Sequence, residues 1–429
     1  MGYLISFTLF GCGLFLYRNK KNLASPDILF CFEWSFISLL ASMKLFTLFD
    51  IAIKTWFIIF IGSFSLIIGI YFGNRIKFSN KKYFFFIHSN KIDLICRWFY
   101  IFSFVIFIFK LGDLKQSLEY LAMGYSLGDI RLASVGLEQI SGFTRAAGGV
   151  QEYLQILLSA IETIIVATGI VLFISDYKRF KKIMLITLVL VLIDTIINGG
   201  RFGLFYVIIE LIVCFLLFKY SPKNTKKKLL SKKTKKIAKR IIIFLLIMIF
   251  YVTLFRGAES SEIIEKYYRY ICGNIVFFDL RLVELNSTDF MSYGFAGLYG
   301  LWKLVLPLFN LIGLNYPSLY LKTINQVMNT QEYLHIGTSL STNAFITPFY
   351  HLYADFRIIG VILGMFIFGA ICGYFFKKAK SCCDLEWIIF YIVIVQMIFK
   401  TLQMYPFTSQ IYVVVLIIIW ILSKIKVYE

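Results

Sequence analysis

The sequence predicts an all-α polytopic membrane protein with about eleven transmembrane helices, and three observations lead there. Of the 429 residues, 59% are hydrophobic and only 16% are charged, whereas a soluble domain carries charge on about a quarter of its residues. The mean hydropathy is +0.78. The apolar residues also gather in runs of roughly 15–22, close to the ~20 residues a helix needs to cross a ~30 Å hydrocarbon core. These runs are apolar all round, which excludes a membrane barrel, whose strands alternate apolar and polar residues.

The runs are 2–17, 28–48, 55–73, 92–110, 153–174, 183–197, 203–218, 241–255, 357–376, 387–402 and 410–424. The first is not read as a signal peptide, because Arg18, Lys20 and Lys21 follow the apolar stretch and do not precede it. Lys and Arg then collect in every second connection: 18–21, 74–91, 175–182, 219–240, 377–386 and the tail from 424. These segments hold 28 of the 44 basic residues, and 219–240 alone holds eleven with no acid. Positive residues mark cytoplasmic loops, so the N-terminus is expected outside and the C-terminus in the cytoplasm. The +20 net charge is thereby explained by topology and calls for no nucleic acid. The 219–240 run could also contact anionic lipid or a partner.

Two long connections then lie outside, 111–152 and 256–356, the second a large external loop between spans eight and nine. That loop carries six basic and eight acidic residues and two of the three His, His335 and His351. Its stretch Gly294–Gly313 is almost long enough to span, but spanning would turn the following basic loop outward, and Lys303 and Pro307 interrupt it. It is expected to be re-entrant or interfacial. No repeat or low-complexity linker divides the chain, so residues 1–429 are expected to form one integral membrane domain. Of eight Cys, only Cys272 falls outside the membrane and the cytoplasm, so no disulfide framework is expected.

Absences narrow the chemistry. There is no DxD pair to hold a divalent metal, no GxxxxGK[ST], no HExxH and no GxSxG. No metal site and no cofactor are expected. Two external clusters remain. Asn198-Gly199-Gly200-Arg201-Phe202-Gly203 joins two spans at the outer face; Gly200 lets backbone approach a ligand, and Arg201 offers a planar fork to phosphate oxygens. Arg256 ends the eighth span at the same depth, before Gly257, so Arg201 and Arg256 could grip a pyrophosphate. An ordinary tight turn, with Arg201 paired to Asp194, is the competing reading.

The second cluster is Thr347 to Arg357, TPFYHLYADFR. Thr347 before Pro348 reads as an N-cap with Pro at the first helical position. His351 and Asp355 are four apart and share a helix face, a spacing that permits a base with an orienting carboxylate. An interfacial Tyr/His belt is the alternative. Glu33, Lys44, Arg97, Glu162, Asp194 and Glu210 lie within spans; Glu33 and Lys44, eleven apart, share a face and could mark a transport path.

With these residues in place, the many spans, the GGR turn after a mid-chain span and the late external loop resemble bacterial oligosaccharide repeat-unit polymerases of the Wzy type. The run TNAFITPFYHLYADFRIIGVILGMFIFGAICGYFF (342–376) is similar to that family's passage into its next span, where an aromatic stretch with Asp-Phe precedes a Gly-containing helix. Arg357 departs from the pattern, since Gly often follows Asp-Phe there. The resemblance implies a metal-independent glycosyltransferase on the outer face of the bacterial cytoplasmic membrane, building an O-antigen or capsule. Donor and acceptor would be repeat units on undecaprenyl pyrophosphate, with a chain-length regulator and a flippase as protein partners and arginines stabilising the leaving pyrophosphate. A flippase of the same lipid-linked glycan and an O-antigen ligase are the rivals. A flippase should carry polar residues through the full membrane thickness, whereas here they gather in external turns.

Overall fold

The computed structural model describes residues 1–76, 89–134, 149–219, 232–256, 263–330, 332–338, 340–343, 345–382 and 384–424. Most of the polybasic 219–240 run, Gly257 and part of the external 111–152 connection lie outside the described residues. Fifteen α-helices are described, with one two-stranded antiparallel hairpin, β1 (Leu334–His335) and β2 (Ser341–Thr342). Helix covers each of the eleven apolar runs, because a backbone in hydrocarbon must satisfy its own polar groups. Among the described residues, seven helices are long and apolar enough to cross a membrane. This is an all-α polytopic membrane protein.

The chain divides into two compact units, one made of Met1–Ser79, Ile264–Lys377 and Met397–Glu429, the other of Asn80–Ile263 and Lys378–Gln396. In the first unit, α1 (Gly2–Lys20), α2 (Pro26–Met43) and α3 (Ile53–Gly73) are followed by α10 (Ile263–Ser287), α11 (Tyr299–Leu311), α12 (Ser318–Thr323) and α13 (Pro348–Cys382). The span expected over 28–48 stops at Met43. Lys44 takes a left-handed backbone (φ 48°) and ion-pairs with Asp50, so it leaves the helix for water. It therefore lines no path with Glu33.

Two features of this unit bear on function. First, α3 and α13 meet backbone to backbone: a Cβ added at Gly69 or Gly73 would sit 2.1 Å from the carbonyl of Phe366 or Ala370, and one at Gly369 or Gly373 2.2–2.3 Å from that of Leu66 or Ile70. Such small-residue seams let membrane helices approach closely. Second, α13 kinks at Phe356 and Arg357, where Arg357 adopts φ 55°, ψ −137°. The first segment, from Pro348 to Asp355, is thus set off from the long one that follows.

The expected external loop is largely helical. The 25-residue α10 buries Ile275, Val276, Phe277 and Phe278 completely. The 13-residue α11 is about 20 Å long, too short to span, and contains Pro307. Cys272 is buried and its thiol, pushed up to about 12 by burial, donates to the Tyr268 carbonyl. In the second unit, α4 (Ser89–Ala122), α5 (Leu127–Ser134), α6 (Gly149–Ser175), α7 (Tyr177–Asn198), α8 (Phe202–Lys219) and α9 (Lys232–Leu254) pack together. The helix α4 runs twelve residues beyond the expected span. The last two helices, α14 (Leu385–Lys400) and α15 (Gln410–Lys424), are short and apolar.

Candidate functional site

The sequence-predicted residues fall in both units, and each group has its own geometry. In the second unit, the turn from Asn198 to Phe202 joins α7 to α8. Gly199 closes α7 at φ 55°, with its would-be Cβ 2.3 Å from the Leu127 carbonyl, so a side chain there is excluded twice over. Gly200 differs: a Cβ would meet nothing closer than 3.9 Å, which leaves its backbone open to approach. Arg201 precedes the first turn of α8, its carbonyl accepting from the Phe205 amide at 3.2 Å. Arg201 therefore stands at the N-terminal end of α8, the end of a helix that favours anions.

Arg201 is 8% exposed, and its Nη1 donates to Thr253 Oγ1 at 2.6 Å. Thr253 belongs to the last turn of α9, three residues before Arg256, so the structure brings both arginines to one helix end. Arg256 is half-buried there, its carbonyl lying beside Gly128 of α5.

One turn behind the Asn198 end, Lys110 of α4 donates to both Glu162 oxygens at 2.6 and 2.7 Å and to Asp194 Oδ1 at 2.8 Å. Asn198 Nδ2 donates to the same Asp194 oxygen at 2.8 Å. Three helices are thereby tied together, and Asp194 is committed to Lys110 and Asn198. Deeper along the same helices, a groove of about 500 Å³ opens between α4 and α7, lined by Tyr100, Phe104, Phe107, Leu185, Val189 and Leu190. Ser103 also lines it, but its walls offer almost entirely hydrocarbon and aromatic surface, chemistry that suits an apolar chain.

In the first unit, Pro348 begins α13 as expected, but Thr347 does not cap it through its hydroxyl. Thr347 Oγ1 is buried without a partner, and its carbonyl takes the Tyr350 amide instead. His351 is 3% exposed, packs edge-on to Tyr350 with ring centroids 5.6 Å apart, and leaves Nδ1 without a hydrogen bond. The expected pairing with Asp355 is not made. Asp355 Oδ1 instead accepts from Ser292 Oγ at 2.6 Å, Gly294 N at 2.9 Å and Ala296 N at 3.0 Å, and Oδ2 accepts from Gly297 N at 2.8 Å. Four preorganised donors outcompete one imidazole for the carboxylate. The Ser292 amide also takes the Ala354 carbonyl, which the kink frees from the helix. Asp355 is thus a clamp that fixes the 292–297 turn onto the start of α13.

The floor under α13 comes from the connection between α14 and α15. Ile346 N donates to the Gln403 carbonyl at 3.0 Å, and Tyr405 Oη to that of Gly364 at 3.0 Å. Burial, with Cys372 and Asp355 nearby, pushes the Tyr405 phenol up, so it stays a donor.

Sequence reasoning missed Lys110, because it ends an apolar run and its acids lie on other helices. It also missed the partners of Asp355, about sixty residues away in sequence. Among comparisons with known proteins, a family model described as O-antigen polysaccharide polymerase Wzy matches residues 3–270. That is well over half of the chain; it includes Arg201 and Arg256 and ends before His351. No curated protein and no solved structure matches the chain.

Proposed function

We propose how this chain, which belongs to the O-antigen polysaccharide polymerase Wzy family, carries out its polymerisation. The protein is a membrane glycosyltransferase acting on lipid-linked oligosaccharides. The donor is a glycan on a polyprenyl pyrophosphate, presented at the outer face of the cytoplasmic membrane. A hydroxyl oxygen of the acceptor's terminal sugar attacks the donor's anomeric carbon. The bond from that carbon to the pyrophosphate oxygen breaks, and polyprenyl pyrophosphate leaves with the electron pair. Arg201 and Arg256 neutralise the charge that develops on the leaving group, with the open backbone at Gly200 and the start of α8 beside them. The polyprenyl chain lies in the apolar groove between α4 and α7. The observation that supports this reading is the convergence of Arg201 and Arg256 on one end of α9.

His351 takes or orients the proton of the acceptor hydroxyl, acting without Asp355, whose role is to hold the turn above it. Purified full-length protein given lipid-linked repeat units in detergent tests this, with no nucleotide added. Wild type should elongate them, and His351→Gln should slow elongation by about a hundred-fold or more, as loss of a general base does. A rate within a few-fold of wild type would leave His351 a packing residue beside Tyr350.

The orientation assigned to the spans is a second proposal, with about eleven crossings, the N-terminus outside and 219–240 in the cytoplasm. The asymmetry of Lys and Arg supports it. A single accessible Cys introduced by Ser231→Cys should react with an impermeant maleimide only after cells are permeabilised. Labelling of intact cells would reverse the topology and remove the arginines from the outer face.

A further inference from the structure

Tyr353 of α13 gathers two cations. Lys54 Nζ lies 5.5 Å from the centroid of its ring and Arg357 Cζ 5.4 Å from the same centroid. The ring is buried and fixed, its hydroxyl donating to Asn286 Oδ1 at 3.0 Å. Neither cation has a carboxylate partner among the described residues, and Arg357 Nη1 is buried with no hydrogen bond. Acids on the same elements are engaged elsewhere, Asp355 by the 292–297 turn. Asp279 accepts from Ala52 N and Thr55 Oγ1 at the start of α3, while Glu284 and Glu332 hold Arg281. The electron-rich ring face supports both charges but does not neutralise them.

The backbone gives an independent sign. At φ 55°, ψ −137° Arg357 occupies a region essentially reserved for glycine. Among the described residues its guanidinium reaches no acid, only the Tyr353 ring. Strain of this kind persists where the side chain serves a purpose other than stability. The seam of Gly69, Gly73, Gly369 and Gly373 holds α3, which carries Lys54, tightly against α13, which carries Arg357. The pair is therefore built into the unit.

We propose that Lys54 and Arg357 form an oxyanion site that takes the pyrophosphate of the second lipid-linked unit, the acceptor. The inference rests on the polymerase reading above: joining two such units brings two pyrophosphates to the enzyme, and Arg201 and Arg256 serve the one that departs. A pyrophosphate that does not depart needs holding, for which a lysine and an arginine without competing acids are suited.

The test is equilibrium binding of radiolabelled farnesyl pyrophosphate to the purified full-length protein in neutral detergent. The variants are Lys54→Gln, Arg357→Gly, the double variant and Arg201→Ala. Saturation should reveal two sites in wild type. Arg201→Ala should lose one of them, and Lys54→Gln with Arg357→Gly the other, each with at least a ten-fold rise in Kd. Arg357→Gly should at the same time raise the melting temperature by relieving the backbone, a combination that a purely structural arginine would not give. Two-site binding within two-fold of wild type in the double variant would overturn the proposal and leave the donor reading standing. Loss of both sites in Arg201→Ala alone would overturn it as well. Phosphatidylglycerol is added as competitor. Displacement by it at equal concentration would assign the pair to phospholipid headgroups and so sink the acceptor role, whereas resistance supports it.

Discussion

Arg201→Ala is expected to lower polymer formation by about a hundred- to a thousand-fold, the usual effect of removing one preorganised donor from a developing oxyanion. The size follows from where the side chain sits. Arg201 is 8% exposed and its Nη1 is anchored on Thr253, so the guanidinium is already oriented when substrate arrives and little reorganisation opposes the charge that develops. Arg201→Lys should recover only a small part of the loss. An ammonium keeps the charge but cannot present two parallel N–H groups to a phosphate while also bonding Thr253. Thr253→Ala should act in the same direction but more weakly, because it frees the guanidinium without removing it. The measurement is polymer length and rate in cells and with purified protein, normalised to the amount of protein in the membrane. Wild-type chains in Arg201→Ala at normal abundance would exclude Arg201 from the site.

Asp355→Ala is expected to act on folding before chemistry. It removes the acceptor from four donors at once, and three of the residues that carry them, Ser292, Ala296 and Gly297, are buried. A buried donor left unsatisfied costs about 1–3 kcal/mol, so the turn should release from α13 at a total cost of about 3 kcal/mol or more. Asp355→Asn should act in the same direction but less severely, since its oxygen can keep three of the four donors while its NH2 group opposes the Gly297 N–H. Both variants should show rapid proteolysis within 289–298 and low abundance in the membrane. His351→Gln, one turn away, should not. If Asp355→Asn accumulated normally but failed only in catalysis, Asp355 would belong to the reaction and not to the clamp.

What the sequence reveals and what it hides follow the range of the forces involved. Each span is set by its own apolar run, so local composition locates the helices. Helix ends are harder to place, because α2 stops at Met43 for the sake of a lysine that pairs with Asp50. The kink at Phe356 and Arg357 leaves no glycine or proline as a signal. Arg201 and Arg256 could be grouped because both end apolar runs on the same side, and depth is readable from hydropathy. The role of Asp355 could not be read: its four partners lie about sixty residues upstream in a turn with no pattern of its own. A cation over a ring, as at Lys54 and Tyr353, has no periodicity at all.

The glycine seam between α3 and α13 also bears on temperature. Packing that relies on expelling water weakens on cooling, because apolar hydration becomes less unfavourable in the cold. Inside a bilayer no such expulsion drives two helices together; close dispersion contact between backbones does. Phe366 and Ala370 offer their carbonyls to Gly69 and Gly73 at distances that no side chain mediates. The contact orders no rotamers when it forms and has none to freeze out. Lys54 and Arg357 should therefore keep their spacing in a chilled membrane even as the surrounding lipid stiffens.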